Sequence, residues 1–493
     1  MAAECIMVQG TMSGAGKSLL TAALCRIFLQ DGLRVAPFKS QNMALNSYVT
    51  PDGLEIGRAQ AMQAEAAGLE CDVRMNPILL KPSSEMGSQV IVNGEVRGQY
   101  SAKEYFQLKK SLIPDILSAY RSLSEENDVI VIEGAGSPAE INLREDDIVN
   151  MGLAELVNAP VLLAGDIDRG GVFAQLYGTV ALLRPEERKR LAGLVINKFR
   201  GDLGLLQPGL RQIEELTQLP VIGVVPFLHV DLDEEDSLAP MLSSRERHGE
   251  IDIAVVRLPH ISNFTDFAPL CDHPSLGLRF ADRRGQLGSP DLVILPGTKN
   301  TMGDLLWLRS TGLEQEILAL AAQGVPVLGI CGGFQMLGTE LQDPKGVERQ
   351  GSLQGLGLLP CRTVFTERKT RTRASGTGLC EPLAGTALEG YEIHMGTTES
   401  YASSAFCRFS DGREDGAAEG LVFGTYLHGL FDSAHSVNSL AAWLGTRKGI
   451  SVSASVTESR SAYRQKQYDI LADAVRASLN IDKIYQAMEA YHH

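Results

Sequence analysis

No two of the eight cysteines in this 493-residue sequence stand in a C-x-x-C spacing, and the eight are scattered. That gives no zinc ribbon and no disulfide framework, and a reducing cytoplasm is the expected setting. No apolar run approaches the roughly 20 residues needed to span a bilayer. The N-terminus, MAAECIMVQG, has no basic stretch ahead of its apolar residues, so it does not read as a secretory signal. Positive charge is in deficit, with 45 Lys and Arg against 60 Asp and Glu, a net charge of −15. Nucleic acid and anionic membranes attract basic surfaces, so neither is expected as a partner. There is no internal repeat and no low-complexity tract. The remaining composition, 44% hydrophobic and 21% charged, is that of a globular protein. The chain is too long for one core, so at least two domains are expected.

Residues 327–338, VLGICGGFQMLG, are the most informative stretch. Four apolar residues end at Cys331, two glycines follow, and a helical pattern begins. This is strand, sharp turn and helix, with a thiol at the corner, the layout of a nucleophile elbow. Backbone N–H groups after the nucleophile then face the attacked carbonyl, and a helix N-terminus favours negative charge. The same residues also fit a small buried cysteine at a strand end. A thiol nucleophile needs a base, which is found downstream in GTYLHGLFD, where a short strand runs into His428. A second glycine turn, Leu295-Pro296-Gly297-Thr298, ends a strand over 291–295. Together these segments resemble the class I glutamine amidotransferase domain. The resemblance implies Cys331 as nucleophile, His428 as base, and Gly297 and Gly332 as oxyanion donors. That class has a Glu two residues after the His, and here the position is Leu430. Glu392 and His394, in GYEIHMG, are the nearest polar candidates to replace it, and both are also compatible with structural roles.

The chain opens with a strand over 6–9, then GTMSGAGKS, then a helical periodicity from Leu19 to Leu29. Successive N–H groups of such a loop wrap phosphate oxygens; Lys17 adds a point charge and Ser18 a hydroxyl for Mg²⁺. Gly10 lies six residues before Gly16, one more than the standard Walker A spacing. The form G-T-x-S-x-x-G-K-S resembles the dethiobiotin synthetase branch of P-loop proteins. It implies ATP binding by Gly10, Thr11, Ser13, Gly14, Gly16, Lys17 and Ser18, with Asn197 of NKFRGD at the nucleotide base. A β-branched strand over 128–132 ends at Glu133, where P-loop domains hold Mg²⁺ near the γ-phosphate. Glu133 is therefore a candidate for the metal or its water shell, the alternative being a substrate or helix-end contact.

Two loops carry candidate substrate residues. KSQNMALNSYVTPDG has three amides, Gln41, Asn42 and Asn46, in a turn-like stretch; such loops at strand ends carry binding function in α/β proteins, or are simply solvated. GDIDRGGVFA places Asp166 and Arg169 before a helix, where Arg169 would stabilise an anionic transition state or sit in an internal salt bridge.

Short buried strands alternating with helices predict a mostly parallel sheet in each half. The expected class is α/β with two domains: a P-loop synthetase domain over 1–228, a linker over 229–250, a flavodoxin-like glutaminase over 251–445, and a polar helical tail over 446–493. Segments 355–359, 391–397 and 419–426 read as antiparallel strands covering one edge of the second sheet.

The order of GTMSGAGKS, KSQNMALNS, GDIDRGGVF, NKFRGD, GICGGFQMLG and YLHGLFD over essentially the whole chain resembles the cobyric acid synthase family of cobalamin biosynthesis. The residues alone reach an ATP-dependent glutamine amidotransferase. The resemblance adds the substrate: ATP, Mg²⁺ and L-glutamine would convert the b, d, e and g carboxylates of a corrinoid, adenosylcobyrinic acid a,c-diamide, to amides through acyl phosphates. Cobyrinic acid a,c-diamide synthase and other glutamine-dependent carboxylate amidases share the architecture. Nothing in the sequence fixes the oligomeric state.

Overall fold

The computed structural model describes residues 3–84, 87–232 and 249–491. The expected linker over 229–250 therefore falls largely outside the described residues.

The chain divides into two compact units, and each contains one piece taken from the other's stretch of sequence. The first comprises Met1–Ala44, Glu55–Asp233 and Arg464–His493; the second comprises Leu45–Leu54 and Glu234–Tyr463. This departs from the linear division expected above in two places. Of the expected tail over 446–493 the part from Arg464 joins the first unit while 446–463 stays with the second, and Leu45–Leu54, nine of whose ten residues belong to the amide-rich loop, joins the second.

In the first unit six strands form a parallel sheet in the order Val221–Pro226, Leu191–Phe199, Val161–Asp166, Glu4–Gly10, Val129–Glu133, Val35–Phe38. Val129–Glu133 and Val161–Asp166 are buried along their whole length. Both faces of these strands are covered, which is why they read as continuous apolar runs without alternation. Glu4–Gly10 lies between these two strands, so the loops after all three meet at one end of the sheet. Ligands of open parallel sheets bind in the crevice at such a point. The helix Lys17–Gln30 packs Leu20, Leu24, Ile27 and Phe28 into the core beside Ile6 and Val8.

The tail completes that core. Its helices, Arg460–Ser478 and Ile481–Tyr491, contribute Tyr468, Leu471, Ala472, Val475, Ile484 and Met488 to the same cluster as Ile6 and Phe28, and Leu479 between them joins it. Apolar residues at three- and four-residue spacing make a stripe that must be covered. The fully buried Tyr468 also donates from its hydroxyl to Glu65 Oε2 at 3.1 Å, and Arg464 Nε donates to the same oxygen at 2.8 Å.

In the second unit the strands Leu276–Ala281, Ile251–Val256, Leu292–Leu295, Val327–Ile330 and Val422–Thr425 pair in parallel, and Ala417–Glu419 adds an antiparallel edge. Part of the expected edge segment over 419–426 is thus an interior parallel strand, because Val422–Thr425 carries buried side chains throughout. Residues 355–359 form no strand; they lie between the strands Gly351–Gln354 and Cys361–Gly378. A second sheet is built around the long hairpin of Cys361–Gly378 with Ala387–Ser400, and the two-residue strand Leu427–His428 pairs antiparallel with Tyr391 and Glu392.

Tyr468→Ala is expected to lower the stability of the first unit by about 3–5 kcal/mol, through lost burial and a residual cavity. Tyr468→Phe, which loses the hydroxyl and its bond to Glu65, is expected to cost about 1 kcal/mol. Urea unfolding followed by calorimetry checks both, and equal losses would contradict this packing account.

Candidate active site

Cys331 sits where the strand Val327–Ile330 ends and the short helix Gly332–Leu337 begins. Its backbone has φ 51° and ψ −108°, a conformation that non-glycine residues rarely adopt. Such strain costs on the order of 1–3 kcal/mol and persists only when the surroundings enforce it. Here Cys331 N donates to Thr425 O at 2.8 Å, and Gln335 N donates to Cys331 O at 3.0 Å. The thiol donates to Ile393 O at 3.5 Å, and it lies near enough to His428 to contribute to the raised pKa of that imidazole.

His428 is buried and held on two sides. Its Nδ1 lies 2.6 Å from Asp266 Oδ2, and the Gly429 amide donates to Asp266 Oδ1 at 3.2 Å. The Tyr391 ring stacks on the imidazole at a centroid distance of 5.3 Å and 19°. Burial alone would lower the imidazole pKa. The negative charge and hydrogen bond of Asp266, with a further contribution from Cys331, outweigh it and raise the pKa to about 10. The missing orienting carboxylate is therefore Asp266, 162 residues before the histidine. Leu430, where the wider class has Glu, is instead part of the core. Glu392 does not orient His428 but receives Arg413 Nη2 at 2.9 Å. His394 stacks on Tyr426 at 3.7 Å with its Nδ1 3.2 Å from Gly396 O, and burial pushes its pKa down to about 4.

The glycine turn meets the same place. A Cβ on Gly297 would stand 3.0 Å from His428 Cε1, and one on Gly332 would stand 3.2 Å from Thr298 N. Buried Gln335 accepts from Thr301 Oγ1 at 3.0 Å and donates to Met395 O at 3.0 Å. The thiol, imidazole, carboxylate and both glycines thus converge within one unit.

In the first unit, GTMSGAGKS forms a loop with Gly14 at φ 74° and Gly16 at φ 87°. Lys17 Nζ donates to Met12 O and Gly136 O, each at 3.1 Å. Thr11 Oγ1 donates to Gln175 Oε1 at 3.1 Å, and Ser13 is exposed. Asn197 Nδ2 donates to Ala15 O at 2.9 Å, so close beneath the loop that a Cβ on Gly16 would lie 2.2 Å from it. The neighbouring Lys198 has φ 61° and reaches Gly14 O at 2.6 Å and Asp166 Oδ2 at 3.0 Å. Asp166 is buried and also accepts from the Asp168 amide; Arg169 lies 3.8 Å away and is largely exposed.

Glu133 Oε1 accepts from Ser18 Oγ at 2.8 Å and Lys39 Nζ at 2.9 Å, and Oε2 accepts from Gln63 Nε2 at 2.6 Å. Burial would raise its pKa, but the Lys39 charge and these donors outweigh it and keep the carboxyl low. The residues fit Mg²⁺, which takes oxygen ligands and commonly uses one or two carboxylates with substrate phosphates and water. Ser18 and Glu133 already adjoin, and Gln63 Oε1 is a buried oxygen without a hydrogen-bond partner. Among the described residues no cluster of three His, Cys, Asp or Glu forms an all-protein cage.

The amide-rich loop splits. Gln41 Oε1 accepts from Tyr105 Oη at 2.5 Å, and buried Asn42 donates to Gln60 Oε1 at 3.0 Å. Asn46 lies in the second unit, buried against Asn263. Sequence reasoning missed Asp266, Lys39, Gln63 and Lys198. Lys39 and Lys198 carried a signal, since each lies inside a candidate motif, KSQNMALNSYVTPDG and NKFRGD; Asp266, in FTDFAPL, carried none.

A raised His428 pKa makes the Asp266 pair a pH-dependent contribution to stability. It is fully present below the unfolded value near 6.5 and is lost as pH rises through about 10. The melting-temperature gap between the wild type and Asp266→Asn is therefore expected to be widest near pH 6 and to close towards pH 10. A gap independent of pH would contradict the pairing.

Comparison with known proteins agrees with both halves. Residues 6–237 match the CobQ/CobB/MinD/ParA nucleotide binding domain, and residues 252–436 match the CobB/CobQ-like glutamine amidotransferase domain. The chain is 56% identical to the cobyric acid synthase of Ruminiclostridium cellulolyticum, over 99% of this chain and 97% of that protein. It is 53% identical to that of Lachnoclostridium phytofermentans, covering 99% of each, and 51% identical to that of Yersinia enterocolitica, covering 99% and 98%. With full-length identity above one half and both domain models matched, the chain belongs to the cobyric acid synthase family.

Proposed function

We propose that the chain amidates the b, d, e and g carboxylates of adenosylcobyrinic acid a,c-diamide, using ATP and ammonia released from L-glutamine. The observation that carries this reading is the buried Cys331–His428–Asp266 constellation on a chain that also bears a phosphate-binding loop. The names of the full-length relatives support the corrinoid substrate.

In the glutaminase half, the Cys331 thiolate attacks the glutamine carboxamide carbon. The N–H groups of Gly297 and Gly332 receive the developing oxyanion. Imidazolium His428 gives its proton to the departing ammonia, leaving a thioester on Cys331. Neutral His428 then takes a proton from water, which releases glutamate and restores the thiol group. Asp266 holds the imidazole through Nδ1 in the tautomer that leaves Nε2 for this shuttle.

In the synthetase half, the loop amides and the side chains of Thr11, Ser13, Lys17 and Ser18 hold the triphosphate, with Asn197 at the base. Ser18 and Glu133 would hold Mg²⁺, which when bound neutralises phosphate charge. A substrate carboxylate attacks the γ-phosphorus and ADP leaves. Ammonia then attacks the acyl carbon of the resulting acyl phosphate, and phosphate leaves as the amide forms. Gln41, Asn42, Asp166 and Arg169 are offered as substrate contacts.

A mass-spectrometric time course tests this. With Mg-ATP and the a,c-diamide, the wild type is expected to add four amides stepwise from either glutamine or ammonium chloride. Cys331→Ala is expected to lose glutamine-dependent amidation at least 10³-fold and keep the ammonium-dependent reaction. Glutamine hydrolysis without any new amide in either tube would overturn the substrate assignment.

A further inference from the structure

The segment Leu45–Leu54 belongs to the glutaminase unit, although Ala44 before it and Glu55 after it belong to the first unit. Within the glutaminase it packs directly behind the base. Asn46 Oδ1 accepts from the Asn263 amide at 2.7 Å, and Asn263 Oδ1 accepts from the Ser47 amide at 3.1 Å. Both asparagines are almost fully buried. Asn263 has φ 53° and ψ 38° and opens the 3₁₀ helix Phe264–Asp272, which carries Asp266 on its first turn. The Asp266 amide donates to Asn263 O at 3.0 Å, and the adjacent Ser262 amide donates to Gly297 O at 2.9 Å. One short stretch, residues 262–266, thus touches the oxyanion turn, the asparagine pair and the base.

The same segment braces the opposite face of the imidazole. Tyr391 stacks on His428, and its hydroxyl donates to Ser47 O at 3.3 Å. Tyr48 packs edge-on against Tyr391 at 4.9 Å, and Val49 is buried with Tyr391 and Ile393. The segment therefore has hold of both partners that fix His428, the carboxylate at Nδ1 and the ring beneath.

We propose that Asn46 is a positioning residue for glutamine hydrolysis: through Asn263 it sets the Asp266 helix turn, and with Ser47 and Tyr391 it fixes the orientation of His428. This rests on the glutaminase reading above and assigns Asn46 to that reaction rather than to corrinoid binding. A two-residue amide pair is short and rigid, so its loss moves the turn that carries Asp266, and displacements of about 1 Å are enough to cost a catalytic site heavily. The groups that face the imidazole are Asp266, Cys331 and the Tyr391 ring, and His394 also interacts with it electrostatically. Of these, Asp266 is the one that Asn46 controls.

The test is steady-state glutamine hydrolysis by the full-length protein across pH 6–10, beside ammonium-fed amidation by the same preparations. For Asn46→Ala the expected result is a fall of about 10- to 100-fold in kcat for glutamine, with KM changed less than about threefold. The alkaline limb of the pH profile, set by imidazolium deprotonation, should move to lower pH, and ammonium-fed amidation should be unchanged. Tyr391→Phe removes the hydroxyl and its bond to Ser47 O and keeps the stacked ring. It serves if Asn46→Ala does not fold, and should show the same limb shift with a smaller loss in kcat. Wild-type glutamine kinetics and pH profile in the folded variants would overturn the proposal. So would a rise confined to the corrinoid KM in the ammonium-fed reaction. A wild type that releases no glutamate through Cys331 would instead defeat the glutaminase reading itself, and that result is visible before any variant is made.

Discussion

The glutaminase unit depends on one buried charge pair. Asp266 and His428 meet at 2.6 Å, with their side chains 7% and 1% exposed. Two charges withdrawn from water must hold each other closely, and removing one leaves the other buried and uncompensated. The pair therefore constrains much around it. The helix turn of Asp266 must be seated, which requires the left-handed Asn263 at its start. Strand Leu427–His428 must be in register with Tyr391, which puts the stacked ring beneath the imidazole. Cys331 holds its strained corner at the end of its strand, and its thiol adds to the raised pKa of the same histidine. Strain at the elbow and burial at the pair are both unfavourable alone, and the surrounding core of packed strands supplies the rigidity that maintains them.

The first unit uses the same physical device for a different purpose. Glu133 is a buried carboxylate ringed by Lys39, Gln63 and Ser18. Each donor helps keep it ionised where burial alone would neutralise it. An ionised, oxygen-rich corner beside a loop of backbone amides is suited to a hard cation and a polyphosphate. Lys198 and Asn197 fix the underside of that loop by donating to the Gly14 and Ala15 carbonyls.

Features written into contiguous stretches were legible in the sequence. Both parallel sheets followed from β-branched runs ended by glycine turns, and the nucleophile elbow, the P-loop and Glu133 stood at the ends of such runs. What was not legible depends on contacts distant in sequence. Leu430 revealed that the expected carboxylate was absent, but nothing near it pointed to Asp266, which is brought in by a helix between two strands of the other sheet. The tail helices gave only a polar, helical pattern, and their apolar stripe acquires meaning against Ile6 and Phe28. The stretch over 39–53 read as one turn-like loop because its three amides and its Pro-Asp-Gly end carry no mark of a break between units. Its division between two units follows from Asn42 pairing with Gln60 on one side and Asn46 with Asn263 on the other. Val422–Thr425 was misplaced because a four-residue apolar run fits an edge or an interior strand equally well until its burial is known.

The central claim is that Asp266 keeps His428 protonated in the resting glutaminase. Nitrogen-15 NMR of histidine-labelled full-length protein tests it directly, with His428→Gln identifying the resonances. The account predicts that both His428 nitrogens remain protonated through neutral pH and titrate only towards pH 10. A His428 that titrates near the ordinary value of about 6.5 would contradict it.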